Sequence, residues 1–370
     1  MNLPRLYKTS KTGATQIIDM EIIGPVYTRT WGQLGGKMQS KATTAKGKNL
    51  GKINETSDEE QAIIEAKAVW VKKQKANYST SQSAHTTIKL PMKVNTYQKH
   101  KNKIIFPCYT SPKLNGVNCE YRLINGTLKL LSRGGEDYPI PAHQYDDVIN
   151  LLNSLNTTSL NGEMYIHGQH LQDIMSATKK PNELSSKLSF NVFDAPEIPG
   201  DYETRIAKLA TGLYTQSVTM IPIDLAYTHE QLQQQHDNWI AEGYEGLVIR
   251  NAKGLYEYNT RSLDSFKLKE TKDAEFEVCS FDIDKNGHPV FSCYKNNIHV
   301  GDNCTFKVKL KGTNEERLAM AAHAKDYIGK FLNVEYEMLS KVNPDGSGGV
   351  PLKPVGTYFR KVDNNGEAIE

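Results

Sequence analysis

The sequence predicts a multidomain α+β protein. Three observations carry that reading: an alternating, β-rich block closed by one helix at the start, a long middle stretch where strand and helix patterns interleave, and a last block of short strands between glycine turns. At 370 residues, with 38% hydrophobic and 24% charged, the chain has material for two or three cores. The boundaries read as a first domain over 1–80, a linker over 81–100, a central domain over 101–272 and a terminal domain over 273–370.

In the first block, "TQIIDMEIIG", "PVYTRTWGQLGG" and "KMQSKATTAKGK" alternate and are broken by Gly24-Pro25 and Gly35-Gly36, which predicts three strands in a meander over residues 15–45. A helix follows, because Ser57 and Glu60 form an S-x-x-E capping box, Ile63, Ala66 and Trp70 recur at helical spacing, and lysines crowd the last turn. "STSQSAHTT" is polar and low in complexity, as a linker is. In "CEYRLINGTLKLLSRGG" two alternating runs flank Asn125-Gly126, the pattern of a type I′ hairpin. From residue 274 on, "EFEVCSFDI", "HPVFSCY", "NCTFKVKL" and "FLNVEYEML" read as the strands of a small β-barrel.

Charge is uneven along the chain. Residues 1–104 hold 18 Lys+Arg against 7 Asp+Glu, a net +11, although the whole chain carries only +3. A basic block on a mildly acidic body is the footprint of a part that holds a polyanion; a solvated lysine-rich surface is the plain alternative. The five cysteines, Cys108, Cys119, Cys279, Cys293 and Cys304, form no C-x-x-C pair, which argues against a zinc cluster and a disulfide framework. No apolar run approaches the roughly 20 residues of a membrane helix, and the first ten residues lack a signal-peptide core, so the expectation is a soluble, cytoplasmic protein.

The chemistry centres on "SPKLNGVN". Lys113 precedes an Asn-Gly pair and an alternating run. A lysine attacks only as the neutral amine, so its pKa, near 10.4 by reference, has to fall through burial or neighbouring cations. "DSFKLKE" supplies Lys267 and Lys269, which share one face of a strand and suit a phosphate. Glu163 in "LNGEMYIHG" and Glu245 in "YEGLVIRN" stand at the margins of apolar runs, where a carboxylate can bind a ribose hydroxyl or a hard cation, or simply face water.

Two resemblances add to this. "YTRTWGQLGGKMQSK" with the basic helix behind it resembles WGR domains, which bind DNA; Trp31 and Gly32 match the signature, whereas Gln33 stands where arginine is usual. Over residues 105–370 the ordered series "KLNG", "SRGG", "NGEMY", "FNVFDA", "EGLVIR" and "FKLK" resembles the covalent nucleotidyltransferases, specifically ATP-dependent DNA ligases of the phage type. The resemblance implies an ATP-grasp-like nucleotidyltransferase domain followed by an OB-fold, ATP as the AMP donor, Mg²⁺, and nicked duplex DNA as the partner of a monomer. It implies that Lys113 attacks the α-phosphorus of ATP. Arg133 and Glu163 would contact the nucleotide sugar or the nick, and Phe190 would stack on adenine. Glu245, with Glu163, would bind Mg²⁺, Lys267 and Lys269 would hold the α-phosphate, and Arg360 in "VGTYFRK" would orient the pyrophosphate.

The chain departs from the family's K-x-D-G-x-R at Asn115 and Asn118, and Asn161 replaces the aspartate that many relatives carry before Gly-Glu. Arg122 lies on the strand face of Asn118 but roughly 13 Å further along, too far to stand in. Fewer anions near a triphosphate favour a neutral Lys113. An RNA ligase or a capping guanylyltransferase would share these motifs, and a DNA-binding protein with a degenerate site fits the two asparagines.

Overall fold

A computed structural model describes residues 1–10, 13–76, 78–81, 89–295, 305–343 and 348–360. They form two compact units, one of Met1–Met92, Leu130–Asp137 and Glu257–Thr260, the other of the remaining residues.

In the first unit β1 (Asn2–Thr9), β2 (Thr15–Ile23), β3 (Val26–Gln33) and β4 (Met38–Thr44) make an antiparallel meander in that order. Four strands stand where three were expected. Only Leu6 of β1 is fully buried, and its proline suits an edge, so the alternation that marks a strand is faint there. The capping box forms as read: Ser57 Oγ accepts from the Glu60 amide at 3.2 Å, and the Glu60 carboxylate accepts from the Ser57 amide at 2.8 Å. It starts α1 (Asp58–Gln74), whose Ala62, Ala66, Ile63 and Trp70 pack on Met20, Ile22 and Tyr27 of the sheet. Of the expected linker over 81–100, residues 82–88 lie outside the described residues, and 93–100 form a strand and a short helix rather than a linker.

The chain goes on through β5 (Lys93–Thr96), α2 (Tyr97–His100), β6 (Cys108–Lys113), β7 (Val117–Ile124), β8 (Thr127–Ser132) and β9 (Asp137–Tyr138), all in the second unit except Leu130–Asp137. It continues with α3 (Tyr145–Leu155), β10 (Ser159–Tyr165), α4 (Leu171–Lys179), β11 (Ser189–Asp194), α5 (Tyr202–Leu209) and β12 (Val218–Met220). Then come β13 (Asp224–Ala226), α6 (His229–Ala241), β14 (Gly246–Asn251) and β15 (Arg261–Lys269). Two sheets result, one ordered β13-β6-β14-β15-β5, the other running β12-β11-β10-β7 and on into the β8–β9 hairpins. Asn125 and Gly126 both take positive φ, +49° and +78°, as the Asn-Gly signal requires.

The terminal strands are β16 (Lys272–Ile283), β17 (Pro289–Tyr294) and β18 (Thr305–Leu310), then after α7 (Asn314–Ala321) come β19 (Phe331–Tyr336), β20 (Met338–Leu339), β21 (Pro351–Leu352) and β22 (Val355–Phe359). Five of them close into a barrel in the order β16-β17-β18-β22-β19. Phe306, Val308 and Leu310 alternate into its core with Phe276, Phe291 and Leu332, which is why a period-two pattern was legible there. Among the described residues no helix is long and apolar enough to cross a membrane. Cys108, Cys119, Cys279 and Cys293 are free thiols; Cys304 lies outside the described residues.

Candidate active site

Three neighbouring strands bring two lysines to one spot. In the register of β6, β14 and β15, Gly246 pairs with Lys113 on one side and with Lys269 on the other. Gly246 sits at φ +142°, and a Cβ there would strike the Leu268 carbonyl, so nothing fills the gap between the lysines. Glu245, just before β14, is anchored by its amide donating to the Lys113 carbonyl at 2.8 Å. Its carboxylate bridges the pair: Oε2 accepts from Lys113 Nζ at 2.5 Å, and Oε1 accepts from Lys269 Nζ. Lys267 is two residues back along β15, opposite Val248, on the same face as Lys269.

A second carboxylate enters from the other sheet. Glu163 of β10 pairs with Asn118 of β7, and its Oε1 accepts from the Gly116 amide at 2.9 Å. Gly116 is obligatory for a reason other than backbone freedom toward a phosphate: a Cβ would strike the Met164 carbonyl and crowd Glu163. A third arrives from the barrel side, where Glu337, between β19 and β20, lies 3.2 Å from Lys269 and 2.6 Å from Lys353. Nothing in the alternation of "NVEYEML" distinguishes Glu337 from Glu335, so sequence reasoning missed it.

These three carboxylates reverse the expected electrostatics of Lys113. Burial pulls its pKa down, but Glu163, Glu245 and Glu337 outweigh burial and leave it above the usual lysine value. The lysine whose pKa does fall is Lys267, through burial and then through Lys269 and Lys113. Burial raises the carboxyls of Glu245 and Glu337, yet the surrounding lysines win and hold both below the ordinary glutamate range. The neutralised Asn115 does not make the site anion-poor; its amide points Nδ2 at the Met338 thioether, 3.5 Å away. Asn118 Oδ1 is shielded from solvent with no hydrogen-bond partner, an acceptor open to a hydroxyl donor. Asn161 is buried, donating to the Cys119 carbonyl at 3.0 Å and accepting from Tyr256 Oη at 3.0 Å. Arg122 is committed to the buried Glu120 at 2.8 Å, as its distance from Asn118 along the strand suggested.

Other expected residues are placed elsewhere. Phe190 is wholly buried, its ring edge-on to Tyr121 at 4.8 Å and packed where a Cβ on Gly162 would go, so it has no face to offer a base. Strand alternation explains this, since Phe190, Val192 and Asp194 all turn inward while Phe193 is half-buried on the opposite face, 5.2 Å from the Arg250 guanidinium. Arg360 is ion-paired with Glu275 on the barrel, and the structure does not bring it to Lys113. Arg133 is exposed in the turn after β8, among the residues that belong to the first unit. Among the described residues no group of three or more His, Cys, Asp or Glu is placed to hold a metal ion.

Residues 90–269 match the family model described as the ATP dependent DNA ligase domain. The chain is 27% identical over 385 residues to a DNA ligase of African swine fever virus (a warthog isolate), covering 94% of this chain and 87% of that one. It is 26% identical over 287 residues to a DNA ligase of Haemophilus influenzae, covering 75% and 88%. A solved structure from a study of Lig E DNA ligases superposes with a TM-score of 0.57 at 18% identity, covering 74% of this chain and 100% of that one, and so shares the fold.

Proposed function

We propose, from the premise that this chain is an ATP-dependent DNA ligase, that it seals 5′-phosphate, 3′-hydroxyl nicks in duplex DNA through AMP held on Lys113. The observation that carries the reading is the Lys113–Glu245–Lys269 bridge inside the matched domain. It presents one nucleophilic amine beside cations that suit a phosphate. In the first step Lys113 Nζ, as the neutral amine, attacks the α-phosphorus; a P–N bond forms and the P–O bond to pyrophosphate breaks. The AMP then passes to the 5′-phosphate, and the 3′-hydroxyl attacks that phosphorus and releases AMP. Lys267 and Lys269 offset charge on the transferring phosphoryl oxygens. Glu163 and the unpaired Asn118 Oδ1 are suited to the ribose hydroxyls, and Arg133 is proposed for the nick. Arg360 would have to leave Glu275 to reach pyrophosphate.

Glu245 and Glu163 would hold a substrate-borne Mg²⁺, which takes one or two carboxylates plus phosphates and keeps several waters. When bound it supplies charge neutralisation on the phosphates. Glu245 is one of the groups that raise the Lys113 pKa. The scheme draws on residues of one chain, and a monomer is the state proposed for it.

The test is incubation with Mg²⁺ and α-labelled ATP or GTP, followed by denaturation. Acid-labile label from ATP, absent in Lys113→Ala, is expected, with sealing of a nicked DNA duplex by the wild-type chain. Label from GTP alone, or label retained by Lys113→Ala, overturns the reading.

A further inference from the structure

A line of alternating charge leads away from Lys113. Glu245 bridges Lys113 and Lys269, and Glu337 Oε2 then joins Lys269, at 3.2 Å, to Lys353, at 2.6 Å. Both ammonium groups meet that one oxygen, so a single phosphate group can span them. Side-chain exposure is 18% at Lys113 and 13% at Lys269 but 70% at Lys353, so the line runs from a closed end to an open one. Lys353 is also felt inside the site: burial lowers the Lys267 pKa first, Lys269 and Lys113 follow, and Lys353 adds to them against Glu337.

The backbone of the barrel side holds Lys353 in this place. With Pro354 it makes the turn between β21 and β22, and it takes φ +55°. A proline pushes the residue before it toward extended backbone, and the left-handed region is costly for a lysine, so this conformation has to be enforced. The Glu337 amide donates to the Leu352 carbonyl at 3.2 Å, and Met338 pairs with Leu352, which pins the turn beside the carboxylate. Strain of this kind gathers at functional sites. A solvated surface lysine is the plain alternative, but it has no need of such a backbone.

Arg360, to which the resemblance gave the pyrophosphate, is ion-paired with Glu275 instead. Lys353 lies outside every motif of that series. Attack by Lys113 Nζ requires the leaving pyrophosphate on the far side of the α-phosphorus. Beyond Lys269 along the line, the next cation is Lys353.

We propose that Lys353 is a further catalytic residue, which holds the β- and γ-phosphates of ATP and the pyrophosphate they become. As the P–N bond forms, the electron pair of the breaking P–O bond stays on the pyrophosphate oxygen and the surplus proton of the amine goes to water. Lys353 offsets the charge on the leaving group and keeps its own protons. The occupant rests on the ligase reading above; the site rests on the line of charges.

The experiment measures, for the full chain with Mg²⁺, the KM for ATP in self-adenylation and the pyrophosphate concentration that half-reverses it. Lys353→Asn, which puts a residue tolerant of positive φ in the turn, is expected to raise both about tenfold, as the loss of one charge-assisted contact does. Lys353→Gly, free of backbone strain there, is expected to do the same, and Lys353→Arg to recover most of the loss. The control Lys307→Gln, whose lysine pairs with Asp282 on the exposed face of the barrel, is expected to match the wild type. Sealing of a nick that already carries AMP on its 5′-phosphate involves no pyrophosphate, and it is expected to fall far less than adenylation at low ATP. An unchanged KM in Lys353→Asn and Lys353→Gly, an equal loss in sealing of the pre-adenylated nick, or a loss in Lys353→Arg as large as in Lys353→Asn overturns the proposal. No label from ATP in the wild type would overturn the ligase reading and this proposal together, whereas label with an unchanged KM in the variants strikes Lys353 alone.

Discussion

The carboxylates around Lys113 raise its pKa where a lowered one was expected, and that is the main correction at the scale of single residues. Its neighbours Lys267 and Lys269 were expected to press its pKa down, yet Glu163, Glu245 and Glu337 raise it. The sign gives a prediction. Only the neutral amine attacks, so the rate of self-adenylation rises with pH toward the raised pKa. Glu337→Gln removes one of the raising charges, and the rise is expected to start at lower pH, with the largest gain near neutrality. Adenylation rates measured from pH 6 to 10 at saturating ATP check this; an identical profile in the variant would sink the idea that Glu337 sets the protonation of Lys113. Lys113 was singled out as the candidate nucleophile because "KLNG" opens an ordered series of motifs that resembles the covalent nucleotidyltransferases. Phe190 was misread because the aromatic content of "FNVFDA" does not say which ring points inward.

At the scale of elements, the turn from β6 to β7 and the start of β14 hold the carboxylates in place. Gly116 gives its amide to Glu163 and leaves room for the Met164 carbonyl. Gly116→Ala is therefore expected to cost about 1–3 kcal/mol of stability, as forced overpacking does, and to slow self-adenylation more than tenfold by displacing Glu163. Thermal melting and single-turnover label uptake read the two effects; normal uptake in a destabilised protein would show that Glu163 is not held by this turn. The α1 capping box and the Asn125-Gly126 hairpin were readable because each is a local contract between backbone and side chain. Strand β1 was not, since an edge strand buries one side chain and leaves little period to detect.

At the scale of the whole molecule, the barrel of the second unit meets the catalytic sheets through charge. Lys341 lies 2.9 Å from Asp173 of α4, and Glu337 reaches Lys269. The Lys341–Asp173 pair is partly exposed and worth at most about 1 kcal/mol. Lys341→Glu, which turns attraction into repulsion, is expected to slow self-adenylation by about threefold to tenfold on that scale. Adding Asp173→Lys should restore it. Loss without rescue would mean that the residues act separately. The sequence by itself determined the α+β class, the helix cap, the hairpin and the barrel pattern, because each is written in residues close together along the chain and governed by local periodicity or turn chemistry. Only the tertiary structure decided the direction in which the Lys113 pKa moves and the entry of Glu337 beside Lys269. Those depend on which distant residues share a few ångströms of low-dielectric space, and Coulomb energies there are fixed by distances that no linear spacing encodes.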